Sequence, residues 1–165
     1  SAASDVYKRQ PTCTADDIEA CKKLAKLAGI DIEEYGRAMF KAGSNIESRT
    51  PKDLFNRDFK KFSVGDVVIG VGQVNCMEQE EVQNIKVKMK DYISTVTGDN
   101  GMDMVFFMIT NVLDGGSEVL CSGKNASATI SQAFNVGTTD DSVYLDGVVS
   151  RKKQMLPAIM EALQQ

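Results

Sequence analysis

Two apolar, strand-like runs flank a long amphipathic segment in the middle of the chain. Residues 66–75 and 102–113 are rich in valine, isoleucine and other residues that favour β-strands. The segment between them, EQEEVQNIKVKMKDYISTV, begins with glutamates and carries its lysines later, which is the charge order that a helix dipole favours. Its apolar residues recur at helical spacing. They are Val82, Ile85, Met89, Ile93 and Val96. Strands alternating with such a helix predict an α/β fold.

The other predicted elements complete one domain. DGGS at 114–117 has the composition of a hairpin turn. Further strands are predicted at residues 118–123 and 143–149. Helices are predicted after Thr14 as far as Gly29, at 31–43, from Pro51 with Thr50 as cap, at 125–135, and at the end of the chain with Pro157 in the first turn. The predicted fold is a single α/β domain with a mixed β-sheet of about five strands flanked by helices, preceded by a helical segment.

Charge and hydropathy narrow the classes of partner. The chain has 165 residues and a net charge of −4, so we expect no nucleic-acid partner and only a local site for an anion. No apolar run approaches the ~20 residues that span a membrane, so no membrane partner is expected. Residues 1–10, SAASDVYKRQ, show no apolar periodicity and are interpreted as a disordered, non-native or linker leader before a domain at 11–165.

Cysteine and histidine usage limits the chemistry. The four cysteines show no metal-ligand spacing and are interpreted as free thiols: Cys13, Cys21, Cys76 and Cys121. The chain has no histidine, which removes the commonest general base and transition-metal ligand. GVGQVN at 70–75 is similar to the start of a dinucleotide fingerprint, but Asn75 replaces the third glycine and a strand is predicted through it. We therefore expect no bound metal and no catalytic residue in this chain.

Three consecutive cations lie near the end of the chain. Arg151, Lys152 and Lys153 follow the run GVV, which is interpreted as the end of a buried strand. Loops beyond strand ends in α/β sheets are frequent ligand sites, and a guanidinium beside ammonium groups suits a phosphate. A basic triplet is usually part of a solvated surface, and the position of this one at the end of a strand is what favours a site. The residues alone therefore indicate either that surface or a phosphate or carboxylate site.

The tail GVVSRKKQMLPAIMEAL closely resembles the end of the family II, manganese-dependent inorganic pyrophosphatases, whose C-terminal domain carries a Ser-Arg-Lys-Lys-Gln motif. Four further stretches resemble that domain in the same order: EEYGRAMFKAGSNI, LFNRDFKKF, GQVNCME and ISQAFNV. The resemblance covers nearly all of residues 11–165. Two departures are Met155-Leu156 in place of the usual valines, and the variant stretch QVNCMEQEE.

The resemblance implies a function for the cations. It implies that this chain is the C-terminal substrate-binding domain of an inorganic pyrophosphatase, which converts pyrophosphate and water to two phosphates. Lys60, Arg151 and Lys152 match the family's substrate-binding positions, whereas Lys61 and Lys153 are adjacent without an implied contact. The family's N-terminal DHH domain, absent here, holds Mn²⁺ or Co²⁺ through histidines and aspartates. The partners of the present chain would be pyrophosphate or phosphate and that N-terminal domain.

Several expectations follow from the resemblance. The parent enzyme is expected in the cytoplasm, and the isolated domain is expected to be a monomer without hydrolytic activity of its own. Two other interpretations stay open. The chain could be the C-terminal domain of a related DHH phosphoesterase such as an exopolyphosphatase, or a free-standing phosphate-binding regulatory module.

Overall fold

The computed structural model describes residues 32–42 and 46–165, so the leader at 1–10, the helix predicted after Thr14, Cys13 and Cys21 lie outside the described residues. The helices are α1 (Ile32–Ala42), α2 (Pro51–Arg57), α3 (Gln79–Asp99), α4 (Ala126–Phe134) and α5 (Leu156–Leu163). A 3-10 turn spans Ile46–Ser48, and a π-helical turn spans Arg151–Met155 directly before α5. The strands are β1 (Phe59–Val64), β2 (Val67–Cys76), β3 (Met104–Asn111), β4 (Gly116–Gly123) and β5 (Ser142–Asp146).

The five strands form one mixed sheet in the order β1-β2-β3-β4-β5. The central pair β2 and β3 is parallel, because the long helix α3 carries the chain back between them. The other neighbouring pairs are antiparallel. The predicted α/β class and mixed five-stranded sheet are therefore confirmed.

Helices cover both faces of the sheet. Face A packs against α2 and α3, and its core includes Leu54, Phe55, Ile85 and Met89. Face B packs against α4, the π-helical turn and α5, and its core includes Ile69, Val71, Ile130, Met155 and Ile159. The predicted apolar face of α3 is confirmed, because all five of its residues are buried in the core of face A. No helix of the described residues is long and apolar enough to cross a membrane.

The local start and turn signals are confirmed. Thr50 caps α2, since its Oγ1 accepts a hydrogen bond from the backbone N–H of Asp53 at 3.2 Å. The β3–β4 connection is the predicted hairpin, in which the N–H of Gly115 donates to the carbonyl oxygen of Asn111 at 2.9 Å. The GVGQVN stretch lies inside β2, as predicted.

Two strand predictions need correction. The fifth strand, β1, was not located in the sequence, because on this edge strand Lys60 and Lys61 are adjacent and both exposed, so the hydrophobic alternation is broken. The last strand was predicted at 143–149 but ends at Asp146. Gly147 has a φ of 79°, which turns the chain out of the sheet, and residues 147–150 form a loop before the cations.

Candidate functional site

The structure places two of the three predicted site residues on one face of the sheet. Lys60 of β1 lies directly opposite Val71 of β2. Directly opposed residues on antiparallel strands point to the same face, and Val71 belongs to the core of face B. A guanidinium nitrogen of Arg151, Nη1, donates to the backbone oxygen of the same Val71 at 3.2 Å. Lys60 and Arg151, far apart in sequence, therefore converge over the β1–β2 pair.

Arg151 is anchored in the fold. Its Nη2 donates to Oδ1 of Asp58 at 2.7 Å, and its Nη1 also donates to the backbone oxygen of Asp58 at 2.9 Å. The Arg151 side chain is only 12% exposed, against 31% for Asp58. These contacts hold the guanidinium in place and leave its Nε–H and one N–H of Nη2 for another acceptor. Sequence reasoning missed Asp58, although the residue lies within the LFNRDFKKF match.

The two neighbouring lysines differ from Arg151 in exposure. Lys60 and Lys152 are both exposed, and within the part of the chain that the structure describes neither forms an ion pair or a side-chain hydrogen bond. Lys153 is exposed as well, and its backbone N–H donates to Oγ of Ser150 at 3.0 Å. We call Lys60, Arg151 and Lys152 the basic site: one fixed guanidinium and two exposed ammonium groups.

The basic site begins a π-helical turn. The backbone N–H of Met155 donates to the carbonyl oxygen of Ser150 at 3.0 Å, which is a five-residue step. Ser150 itself is buried and caps the turn through its hydroxyl. The first N–H groups of a helix have no partner within the helix, so the backbone at Arg151 and Lys152 adds partial positive charge to the site. Single π-helical turns occur frequently at functional sites.

Gln154 fixes the loop that precedes the turn. Its Oε1 accepts from the backbone N–H of Val149 at 2.8 Å and of Ser150 at 3.0 Å, and its Nε2 donates to the carbonyl oxygen of Gly147 at 2.7 Å. The last residue of the Ser-Arg-Lys-Lys-Gln motif is therefore a structural clamp on residues 147–150.

A second set of polar side chains reaches the same loop from the sheet. Nε2 of Gln73 donates to the carbonyl oxygen of Val149 and to Oγ1 of Thr110, each at 2.9 Å. Oγ of Ser117 lies 2.7 Å from Oγ1 of Thr110 and donates to the carbonyl oxygen of Val148 at 2.7 Å. Sequence reasoning missed these residues. For Gln73 and Thr110 the signal was available as polar residues within predicted apolar strands, whereas Ser117 fell in the predicted turn at 114–117.

Two shallow depressions lie elsewhere, beside α3 and the β4–β5 edge, with volumes of about 290 and 380 Å³. Lys90 and Asp140 line both of them. In the larger one Lys86 pairs with Glu118 at 2.8 Å, and burial, followed by the charge of Asp146, raises the pKa of Tyr144. None of the basic-site residues lines either depression. These depressions are therefore separate from the predicted binding residues.

The described cysteines are free and buried. Burial, with nearby carboxylates second, raises the pKa of Cys76 and of Cys121 to about 12, so both thiols stay protonated at neutral pH. Across residues 32–42 and 46–165, no group of three or more aspartate, glutamate, cysteine or histidine residues could hold a metal ion. The residues that the structure describes therefore do not fit a Mn²⁺ or Co²⁺ centre.

Comparison with protein families gives a match to the DHHA2 domain over residues 37–162. The chain is 37% identical over 155 residues to a manganese-dependent inorganic pyrophosphatase of Bacillus subtilis, covering 94% of this chain and 50% of that protein. It is 36% identical over 155 residues to a cobalt-dependent inorganic pyrophosphatase of Clostridium perfringens, covering 94% of this chain and 28% of that protein.

A solved structure shows the same fold. It is a crystal structure of a Methanococcus jannaschii protein described as a family II inorganic pyrophosphatase, with a TM-score of 0.72 and 36% sequence identity. The match covers 99% of this chain and 53% of that one. The chain thus spans about half the length of the Bacillus subtilis relative and of this solved structure.

Proposed function

The chain belongs to the DHHA2 domain family, and on that premise we propose that it is the substrate-binding domain of a manganese- or cobalt-dependent inorganic pyrophosphatase. In this proposal Lys60, Arg151 and Lys152 contact pyrophosphate. The observation that carries it is the basic site itself. A fixed guanidinium with two N–H donors to spare lies on the same face as Lys60 and next to Lys152, and both ammonium groups lack a protein partner among the described residues.

The arrangement suits a compact polyanion. Arginine offers planar donors to two phosphate oxygens, while lysine supplies a mobile point charge. Because Asp58 and Val71 hold Arg151 in advance, little reorganisation is needed when negative charge builds up on the leaving phosphate. Cations fixed in this way bind the reacting group more strongly as its charge grows, and this lowers the barrier.

Half of the Bacillus subtilis relative lies outside the match to this chain. We propose that this part is the N-terminal DHH domain and holds the Mn²⁺ or Co²⁺, which would supply an activated water for attack on phosphorus. Residues 11–165 would then close over it as the C-terminal domain, with residues 1–10 as leader, in a cytoplasmic enzyme. This chain's own residues would bind and orient pyrophosphate and exclude water from it.

The test is calorimetric titration of the chain with pyrophosphate in the absence of metal, comparing wild type with Lys152→Ala. We expect Lys152→Ala to weaken binding by about five-fold, since one exposed charge contact is worth roughly 1 kcal/mol. Lys124→Ala is the matched control, because it makes the same change in net charge. Lys124 is exposed and follows the end of β4 that lies away from the loop at 147–150.

Three outcomes would contradict the proposal. Equal weakening by Lys152→Ala and Lys124→Ala would mean that only net charge matters, and no site would be assigned to Lys152. Micromolar binding of pyrophosphate by the chain alone would favour the free-standing phosphate-binding module. If a protein containing both halves released phosphate from long-chain polyphosphate faster than from pyrophosphate, the exopolyphosphatase alternative would replace the proposal.

A further inference from the structure

A row of three polar residues crosses the apolar sheet just below the loop that carries the basic site. Gln73 on β2, Thr110 on β3 and Ser117 on β4 occupy positions on face B where the neighbouring positions along the same strands are Val71, Met108 and Val119. Thr110 is 0% exposed and Ser117 is 1% exposed. We call Gln73, Thr110 and Ser117 the polar chain. Burying hydroxyl groups in a core is costly, so their hydrogen bonds must be made within the protein.

The direction of every hydrogen in the polar chain follows from its ends. The carbonyl oxygen of Val148 only accepts, so the hydroxyl of Ser117 donates its single hydrogen there. Ser117 must then accept from the hydroxyl of Thr110, which in turn must accept from the amide nitrogen of Gln73. The second hydrogen of that amide goes to the carbonyl oxygen of Val149. Thr110 and Ser117 therefore each donate and accept, and Thr110 is the link that joins Gln73 to Ser117.

Both ends of the polar chain hold consecutive residues of one loop. Val148 and Val149 directly precede Ser150, whose hydroxyl caps the π-helical turn, and Arg151, which opens the basic site. Gln154 binds the backbone N–H groups of Val149 and Ser150, while the polar chain binds the carbonyl groups of Val148 and Val149. The loop is thus fixed through both its donors and its acceptors.

We propose that Thr110 is a positioning residue for the basic site: its hydroxyl links Gln73 to Ser117 and so sets the backbone from which Arg151 and Lys152 project. This inference rests on the proposed function, because the positioning matters for binding only if the basic site takes pyrophosphate. Thr110 itself is fully buried, so it acts through Gln73 and Ser117, which donate to the carbonyl groups of Val149 and Val148.

The test compares Thr110→Val, which keeps the shape and removes the hydroxyl, with Thr110→Ser, which keeps the hydroxyl and removes a methyl group. Both variants should lose some stability. Pyrophosphate affinity, measured by calorimetry at a temperature where all chains are folded, should fall about five-fold in Thr110→Val and stay within about two-fold of wild type in Thr110→Ser. If Thr110 were merely structural, affinity would follow thermal stability rather than the presence of the hydroxyl.

Amide hydrogen exchange provides a second readout that does not depend on pyrophosphate. The N–H groups of Ser150 and Lys153 bond within this loop and turn, so Thr110→Val should speed their exchange by about ten-fold, and Thr110→Ser should leave it near wild type. Ser117→Ala removes the link to Val148 and also the acceptor of the Thr110 hydroxyl. It should shift both readouts in the same direction as Thr110→Val, and it replaces that variant if the valine variant does not fold.

The outcomes separate the two proposals. If the wild-type chain binds no pyrophosphate, the proposed function fails, and faster exchange in Thr110→Val still supports the positioning of the loop. If wild type binds and Thr110→Val binds equally well with unchanged exchange, the positioning role is overturned while the proposed function stands. Equal loss of affinity in Thr110→Val and Thr110→Ser would also overturn it, because the hydroxyl would then be irrelevant.

Discussion

At the scale of single residues, Arg151 lies between a carboxylate and two backbone oxygens of the β1–β2 region. The sequence presents it as one of three adjacent cations facing water, but its side chain is the least exposed of the three. Its contacts join the start of the last helix to Asp58, so it stabilises the fold and also directs its remaining donors. We therefore expect Arg151 to matter for stability even without a ligand.

Arg151→Lys should lower the free energy of unfolding by about 1–3 kcal/mol. Lysine lacks the planar fork and cannot reach Asp58 and Val71 together, so it leaves partly buried acceptors without this donor. The measurement is urea-induced unfolding followed by circular dichroism. The control is Arg37→Lys, because Arg37 forms an exposed pair with Glu33 at 3.9 Å and should contribute less than about 0.5 kcal/mol. Equal stability of Arg151→Lys and wild type would contradict the anchoring role.

At the scale of elements, the basic site is positioned by the edge strand β1 and by the loop that follows the end of β5. β1 is an edge strand that carries Lys60 and Lys61 outward, and charged residues on an edge also discourage pairing with another chain. This is consistent with the monomer predicted from the sequence, which stays a prediction. The pairing of β3 with β4 ends at Gly123, which lies opposite Met104 at the end away from the hairpin turn.

Gly123→Ala should be among the most damaging single substitutions on the surface of the sheet. Gly123 has a φ of 108°, which L side chains rarely adopt, and an added Cβ would collide with the backbone oxygen of Asp103. We expect a loss of roughly 2–4 kcal/mol, measured by urea unfolding. Gly137→Ala is the control, since a Cβ there meets no atom within 4 Å and φ is not positive, so the change should be close to neutral. A loss below about 1 kcal/mol in Gly123→Ala would show that the strand end can move.

At the scale of the whole molecule, the two faces of the sheet have different tasks. Face A is covered by α3 and holds a continuous apolar core. Face B combines an apolar core with the polar chain, the loop at 147–150 and the basic site near one end. The site is open to solvent on the side of Lys60 and Lys152, so its cations act in water rather than in a closed cavity.

The chain by itself should bind pyrophosphate weakly and should not hydrolyse it. Exposed cation contacts worth roughly 1 kcal/mol each add up to a binding free energy that corresponds to a dissociation constant on the order of millimolar. Because salt screens these charges, binding should weaken further between about 0.05 and 0.5 M salt. Phosphate release with added Mn²⁺ should stay at background, because the sequence has no histidine and the described residues offer no metal-binding cluster. Salt-independent binding, or turnover of even a few per second, would contradict this prediction.

Local chemistry was sufficient to predict much of the fold. The buried face of α3, the Thr50 cap of α2 and the turn before β4 follow from residues within a few positions of one another, so periodicity and turn propensity reveal them. The cation cluster was visible for the same reason. The resemblance to a family of pyrophosphatases added Lys60, which no local pattern would have linked to Arg151.

Other features depend on contacts between residues that are distant in the chain. Arg151 and Asp58 lie 93 positions apart, and Gln73 and Val149 lie 76 apart. Whether a cation faces water or a carboxylate, and whether a buried hydroxyl has a partner, is decided only when the strands take their register and the last helix packs on face B. The sequence by itself therefore determined the elements and the charges. The tertiary structure alone decided that Arg151 is anchored, that Lys60 lies on the same face of the sheet, and that Thr110 connects the sheet to the loop. Each of these depends on packing between segments that are remote in the chain.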